Sequence, residues 1–115
     1  ADDLARFARA LLGGSSILRP ATVKLMTEPV EVPGGGGARS RGWDVDTSFS
    51  APRGAGFGKR AGFGHTGFTG TSIWFDPPSK TAVILLTSRL HPADDAKKSV
   101  TALRKEVATL AARIW

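Results

Sequence analysis

The chain has 115 residues, with 16 Lys and Arg against 10 Asp and Glu, a net charge of +6, a pI near 10.5 and no cysteine. That is one domain or a piece of one, with a modest core, and disulfides and thiolate metal sites are excluded. The longest apolar run, Ala82 to Leu86, is strand-sized and far short of the roughly 18 residues that suggest a membrane span.

The basic excess suits an anionic partner in principle, but the basic residues run from Arg6 to Arg113 with no single cluster. They read as an unevenly charged surface rather than a nucleic-acid interface. No targeting segment is visible, and a sequence that opens inside a helix signal leaves localisation undetermined.

Asp2 to Leu12 has the apolar spacing of an amphipathic helix in Leu4, Phe7, Ala8 and Leu11, with Asp2 and Asp3 at its positive end and Gly13-Gly14 as a stop. Ser16 to Thr27 predicts a second, shorter helix with Pro20 in its first turn and Val23 and Met26 facing inward. Val30 to Arg41 reads as a loop around Gly34 to Gly37. Gly42-Trp43-Asp44-Val45-Asp46 alternates as a half-buried strand does, with Asp44 and Asp46 on one exposed face.

Thr47 to Gly64 is rich in glycine and basic residues, with Phe49, Phe57 and Phe63 interleaved. Such a stretch can be a disordered RNA-binding segment, but between two strands it reads as an irregular loop near a site. Gly54 to Arg60 lacks the buried strand and the Gly-Lys-Ser/Thr ending of a phosphate loop.

Thr71 to Asp76, the Pro77-Pro78 turn and the apolar run Thr81 to Ser88 predict a β-hairpin, its second strand covered on both faces. His91 is placed as a turn residue and Asp94 as the cap of a last helix. In that helix Val100, Leu103, Val107, Leu110 and Ile114 form the apolar stripe, and Arg104 is among the basic residues of the wet side. The fold class is α+β: an antiparallel sheet of about three to four strands, N-terminal helices, and a C-terminal helix across the sheet. Two distant histidines give no metal spacing, and no cofactor is implied.

One stretch stands out chemically. Gly64-His65-Thr66-Gly67-Phe68-Thr69-Gly70 places a His-Thr-Gly triplet between glycines, at the start of what reads as a strand. Upstream, in order, are Asp2 to Phe7, Leu18-x-Pro20-Ala21-Thr22-Val23-x-x-Met26 and Gly42-Trp43-Asp44. Trp74-x-Asp76-Pro77 and Leu86-Thr87-Ser88-Arg89 follow. The whole chain thereby resembles the C-terminal third of the serine β-lactamase-like family, which includes class C β-lactamases, D-Ala-D-Ala carboxypeptidases and related esterases.

The resemblance implies that His65, Thr66 and Gly67 wall an active site and meet a substrate carboxylate. It also implies that the Phe68 N–H is an oxyanion donor, an interaction worth about 3 kcal/mol where such donors have been removed. Family members are often exported.

The family's other elements, Ser-x-x-Lys and Tyr-x-Asn, are absent from residues 1–115, which contain no tyrosine. Acyl transfer needs a hydroxyl activated by a base, so no catalytic residue is assigned and these residues alone are expected not to turn over. Residues 1–115 are therefore read as the C-terminal part of a serine hydrolase that cleaves a β-lactam, peptide or ester through an acyl-enzyme. They are expected to associate with the missing N-terminal part or with a second copy. The alternative is a non-catalytic binding module with a basic surface. Trp43 and Trp74 are assigned to packing.

Overall fold

The computed structural model describes residues 1–13, 17–90 and 97–114. Helix α1 spans Asp2–Leu11, with Asp2 and Asp3 in its first turn and Ala8 and Leu11 buried. Helix α2 spans Pro20–Thr27, shorter than the sequence pattern suggested. Its start is set by Pro20: Arg19 before it is extended, with φ −62° and ψ 143°. A residue preceding proline is sterically kept from the helical region, whereas proline itself fits the first helical position. Val23 and Met26 are only half-buried, and α2 has no fully buried residue.

Six strands form one antiparallel sheet in chain order: β1 Val30–Glu31, β2 Ala38–Arg39, β3 Asp44–Asp46, β4 Phe63–Thr66, β5 Ser72–Asp76 and β6 Thr81–Leu85. The expected three to four strands become six because the presumed loop from Val30 to Arg41 folds as a hairpin. Val30 pairs with Arg39 and Glu31 with Ala38. Strands of two residues carry no readable alternation, and the glycines between them mask the pairing.

The β5–β6 hairpin forms as predicted, with Ser72 opposite Leu85 and Asp76 opposite Thr81. Its turn is closed by Asp76, whose carboxylate accepts from the Ser79 hydroxyl at 2.6 Å and from the Ser79 N–H at 3.2 Å.

Alternation in β5 sends neighbouring side chains to opposite faces. On one face Phe75 and Phe63 stack at 4.8 Å between ring centroids, joined by Trp43, Val45, Ala38 and the α1 residues Ala8 and Leu11. On the other, Trp74, Val83, Phe57 and Ala108 make a second cluster against helix α3, Lys97–Ala111. The sheet is thus covered on both sides, which explains the apolar run in β6. Trp43 packs edge-on to Phe75 at 5.3 Å, as a core residue.

The inward face of α3 differs from the predicted stripe. Val100, Arg104 and Ala108 are buried, while Leu103, Leu110 and Ile114 are 41%, 50% and 81% exposed. Phe57 and Trp74 fill this layer, so the helix approaches with small residues, and Arg104 turns inward to meet backbone carbonyls. The expected roles of His91 and Asp94 lie outside the described residues.

Gly64 lies within the sheet. Any Cβ there would enter the Ile73 carbonyl oxygen and the Trp74 ring. The position is therefore closed to other side chains by the packing of β5.

Candidate active site

The His-Thr-Gly triplet closes a strand rather than opening one. Buried Phe63 pairs with Phe75 and starts β4, so that the next residues, Gly64, His65 and Thr66, pair with Trp74, Ile73 and Ser72. Gly67 to Thr71 is the turn into β5, closed by Gly67 N–H to the Thr71 carbonyl at 2.7 Å. A Cβ on Gly67 would meet the Thr71 hydroxyl, so a side chain there would have to turn that hydroxyl aside.

The turn is held from behind through its carbonyls. Arg104 donates Nη2 to the carbonyls of Gly67 at 2.7 Å and Thr71 at 2.8 Å, and Nε to that of Gly70 at 3.0 Å. Thr87 adds its hydroxyl to the Gly70 carbonyl at 2.8 Å. Arg89 donates its backbone N–H to the Thr69 carbonyl at 2.8 Å and its Nε to the Phe68 carbonyl, and its guanidinium lies 4.2 Å from the Phe68 ring centroid. Every carbonyl from Gly67 to Thr71 is thus engaged, whereas the Phe68 N–H has no acceptor among the described residues.

Burial holds the Arg104 guanidinium below the ordinary arginine value, and the charge of Arg89 adds to this. Arginine remains a cation at neutral pH regardless.

A cleft of about 560 Å³ opens beside the turn. His65, Thr66, Gly67 and Phe68 line it together, with Arg39, Arg89 and Arg104 around them. The facing wall comes from the loop after β3, through Ser48, Phe49, Ala51 and Pro52. The loop expected from Thr47 to Gly64 runs only to Gly62, because Phe63 and Gly64 are paired in β4; within it Ala51–Arg53 is a turn of 3₁₀-helix and Phe57 is buried.

Asp44 corrects the expectation of an exposed carboxylate pair. It is buried and accepts hydrogen bonds from the Thr47 hydroxyl at 2.6 Å and the Ser50 hydroxyl at 2.5 Å. Asp46 instead pairs with Arg53 at 3.0 Å, and Arg53 also donates to the Val45 carbonyl at 2.8 Å. Among the described residues Asp44 is the one carboxylate of the cleft lining, and both its oxygens are engaged, so positive charge dominates there.

His65 itself is exposed. Its Nδ1 lies 2.9 Å from the Thr66 carbonyl and its Nε2 lies 3.3 Å from Arg39 Nη2. Among the described residues no group of three His, Cys, Asp or Glu could hold a metal ion. No helix there is long and apolar enough to cross a membrane.

The family model for beta-lactamases matches residues 1–108. The chain belongs to the beta-lactamase family. A beta-lactamase from Mycobacterium bovis shares its architecture, with a TM-score of 0.69 and 26% identity over 93% of this chain. These residues span 41% of that protein's length. No curated protein matches.

Within the beta-lactamase family, a serine-hydrolase-related group, sequence reasoning found the triplet but missed three side chains that shape its surroundings. Arg39 comes from a strand too short to read, and Arg104 looked like a solvated helix cation. Asp44 had a weak signal, since an Asp followed by Thr47 and Ser50 is of a composition that favours side-chain-bonded turns.

Proposed function

We propose that residues 1–115 form the His-Thr-Gly wall of a serine hydrolase that cleaves an amide or ester through an acyl-enzyme, with the nucleophile and its base on residues outside this sequence. One observation carries the reading. Among the described residues the Phe68 N–H has no acceptor, at the edge of a basic cleft, while every carbonyl of its turn is drawn back by Arg104, Arg89 and Thr87. A fixed donor with no competing acceptor beside it is what stabilises a developing oxyanion.

His65 and Thr66 stand next to that donor: the Thr66 hydroxyl would meet the substrate's carboxylate, with the Arg side chains setting a positive field, and the His65 ring would face a hydrogen-bond donor of the substrate. The span of 41% against the Mycobacterium bovis protein leaves ample chain elsewhere for Ser-x-x-Lys.

The outer edge of β6, which no strand among the described residues pairs, with Leu86 half exposed, would take up a further strand. The occupant is the missing part of the domain or, failing that, a second copy. Residues 1–115 by themselves are therefore expected to sediment as a dimer, and a strict monomer at high concentration would remove this argument.

The donor role is tested in the protein that also carries Ser-x-x-Lys. Phe68→Pro deletes the N–H and should lower kcat by about 100-fold or more, while Phe68→Ala, which retains it, should stay within a few-fold. Equal losses in both variants would assign the effect to the Phe68 ring.

The second reading, a non-catalytic module for acidic ligands, draws on the same excess of arginine. It predicts binding that weakens steeply with salt and is indifferent to His65→Ala.

A further inference from the structure

His65 has two ring nitrogens, and the neighbours of each limit its state. Nδ1 faces the Thr66 carbonyl, which can only accept, so Nδ1 carries the proton. Nε2 faces Arg39 Nη2, which can only donate, so Nε2 presents its lone pair. The two bonds are satisfied together by a single form, the neutral ring protonated at Nδ1.

A solvated histidine ordinarily favours the other neutral tautomer, and its choice is set by what each nitrogen meets. Here one contact is local and present wherever the β4 backbone holds its shape. The other reaches across the sheet from β2, 26 residues earlier.

We propose that Arg39 is a positioning residue for His65, selecting the Nδ1–H tautomer so that the triplet's imidazole presents an acceptor at Nε2. Positive charge at this end of the cleft then resides on the Arg39 guanidinium. A lysine at position 65 could only donate; the imidazole held by Arg39 can receive a hydrogen bond from a substrate or hydroxyl group once that group displaces Nη2. Arg39, freed from Nε2, keeps its planar fork for an anionic group of the same ligand. The meaning of this arrangement rests on the cleft being the active site, but its test does not.

The experiment is long-range proton–nitrogen correlation NMR of the His65 ring in residues 1–115, without substrate. It is run at about pH 8, where an ordinary imidazole is neutral. His91→Gln leaves His65 as the one histidine of the two in the chain. The expected parent spectrum shows a protonated-type Nδ1 and a lone-pair-type Nε2. In Arg39→Met, which keeps an unbranched stem without the guanidinium donor, the pattern should move towards Nε2–H.

A parent ring already protonated at Nε2 overturns the proposal, whatever the variants do. So does a Nδ1–H pattern that survives unchanged in Arg39→Met with native amide dispersion. Arg39→Thr, a strand former too short to reach Nε2, repeats the comparison should Met disturb the sheet. Because no turnover is measured, loss of the hydrolase reading leaves this result standing, and the reverse also holds.

Discussion

Replacing Gly64 by alanine is expected to destabilise the chain by roughly 3 kcal/mol, lowering its melting temperature by about 10 °C or more. The added methyl would enter both the Ile73 carbonyl oxygen and the six-membered ring of Trp74. Neither can yield cheaply. Ile73 is held in register with His65 on one side and Ile84 on the other, and Trp74 is 1% exposed in the cluster against α3.

Relief would require β4 and β5 to separate at the point where the triplet is placed, so loss of stability and displacement of His65 should come together. Thermal unfolding followed by circular dichroism checks the first, and the His65 ring chemical shifts check the second. A Gly64→Ala chain as stable as the parent would mean that β4 does not lie this close to β5.

The second large effect is expected at Arg104. Substitution by methionine keeps the stem that packs along α3 but removes three charge-assisted hydrogen bonds to the turn. Hydrogen bonds of this type contribute about 1.5–3 kcal/mol each, offset here by the desolvation that burial of a guanidinium incurs. The carbonyls retain partial partners in Gly70 N–H, Thr87 Oγ1 and Gly67 N–H, which further limits the loss. A net destabilisation of about 2–3 kcal/mol is expected in denaturant unfolding.

The more specific readout is amide hydrogen exchange. The Gly67 and Gly70 N–H groups, which close the turn internally, should exchange much faster in Arg104→Met, while β6 amides remain protected. Uniform loss of protection would show that Arg104 supports the whole sheet rather than this turn.

These two residues also illustrate what a sequence discloses. The β5–β6 hairpin was legible because Pro77-Pro78 cannot sit in a paired strand and the flanking residues alternate. The triplet was legible from its glycines and its neighbours in order, although Phe63 pulls it to the end of a strand where a beginning was expected. Helix α1 followed its apolar spacing.

Arg104 was not legible, because a cation on an amphipathic helix ordinarily points to water. It is drawn inward only by carbonyls of a turn more than thirty residues earlier in the chain. The Arg39–His65 contact likewise depends on a hairpin of two-residue strands, and pairing that short is a tertiary result with no period to read. The predicted stripe of Leu103 and Leu110 misjudged α3 for a related reason: bulk already supplied by Phe57 and Trp74 leaves room for alanine in the helix.

The measurement that bears most directly on the account is hydrolysis of a chromogenic ester and a chromogenic β-lactam. It compares residues 1–115 alone with the same residues joined to the Ser-x-x-Lys segment that the proposed function places outside this sequence. No turnover is expected from residues 1–115, and turnover is expected from the joined protein, falling about 100-fold or more with His65→Ala. Hydrolysis by residues 1–115 alone, with a serine or threonine of this chain labelled by a fluorophosphonate, would contradict the account, because it would place the nucleophile beside His65 within this sequence.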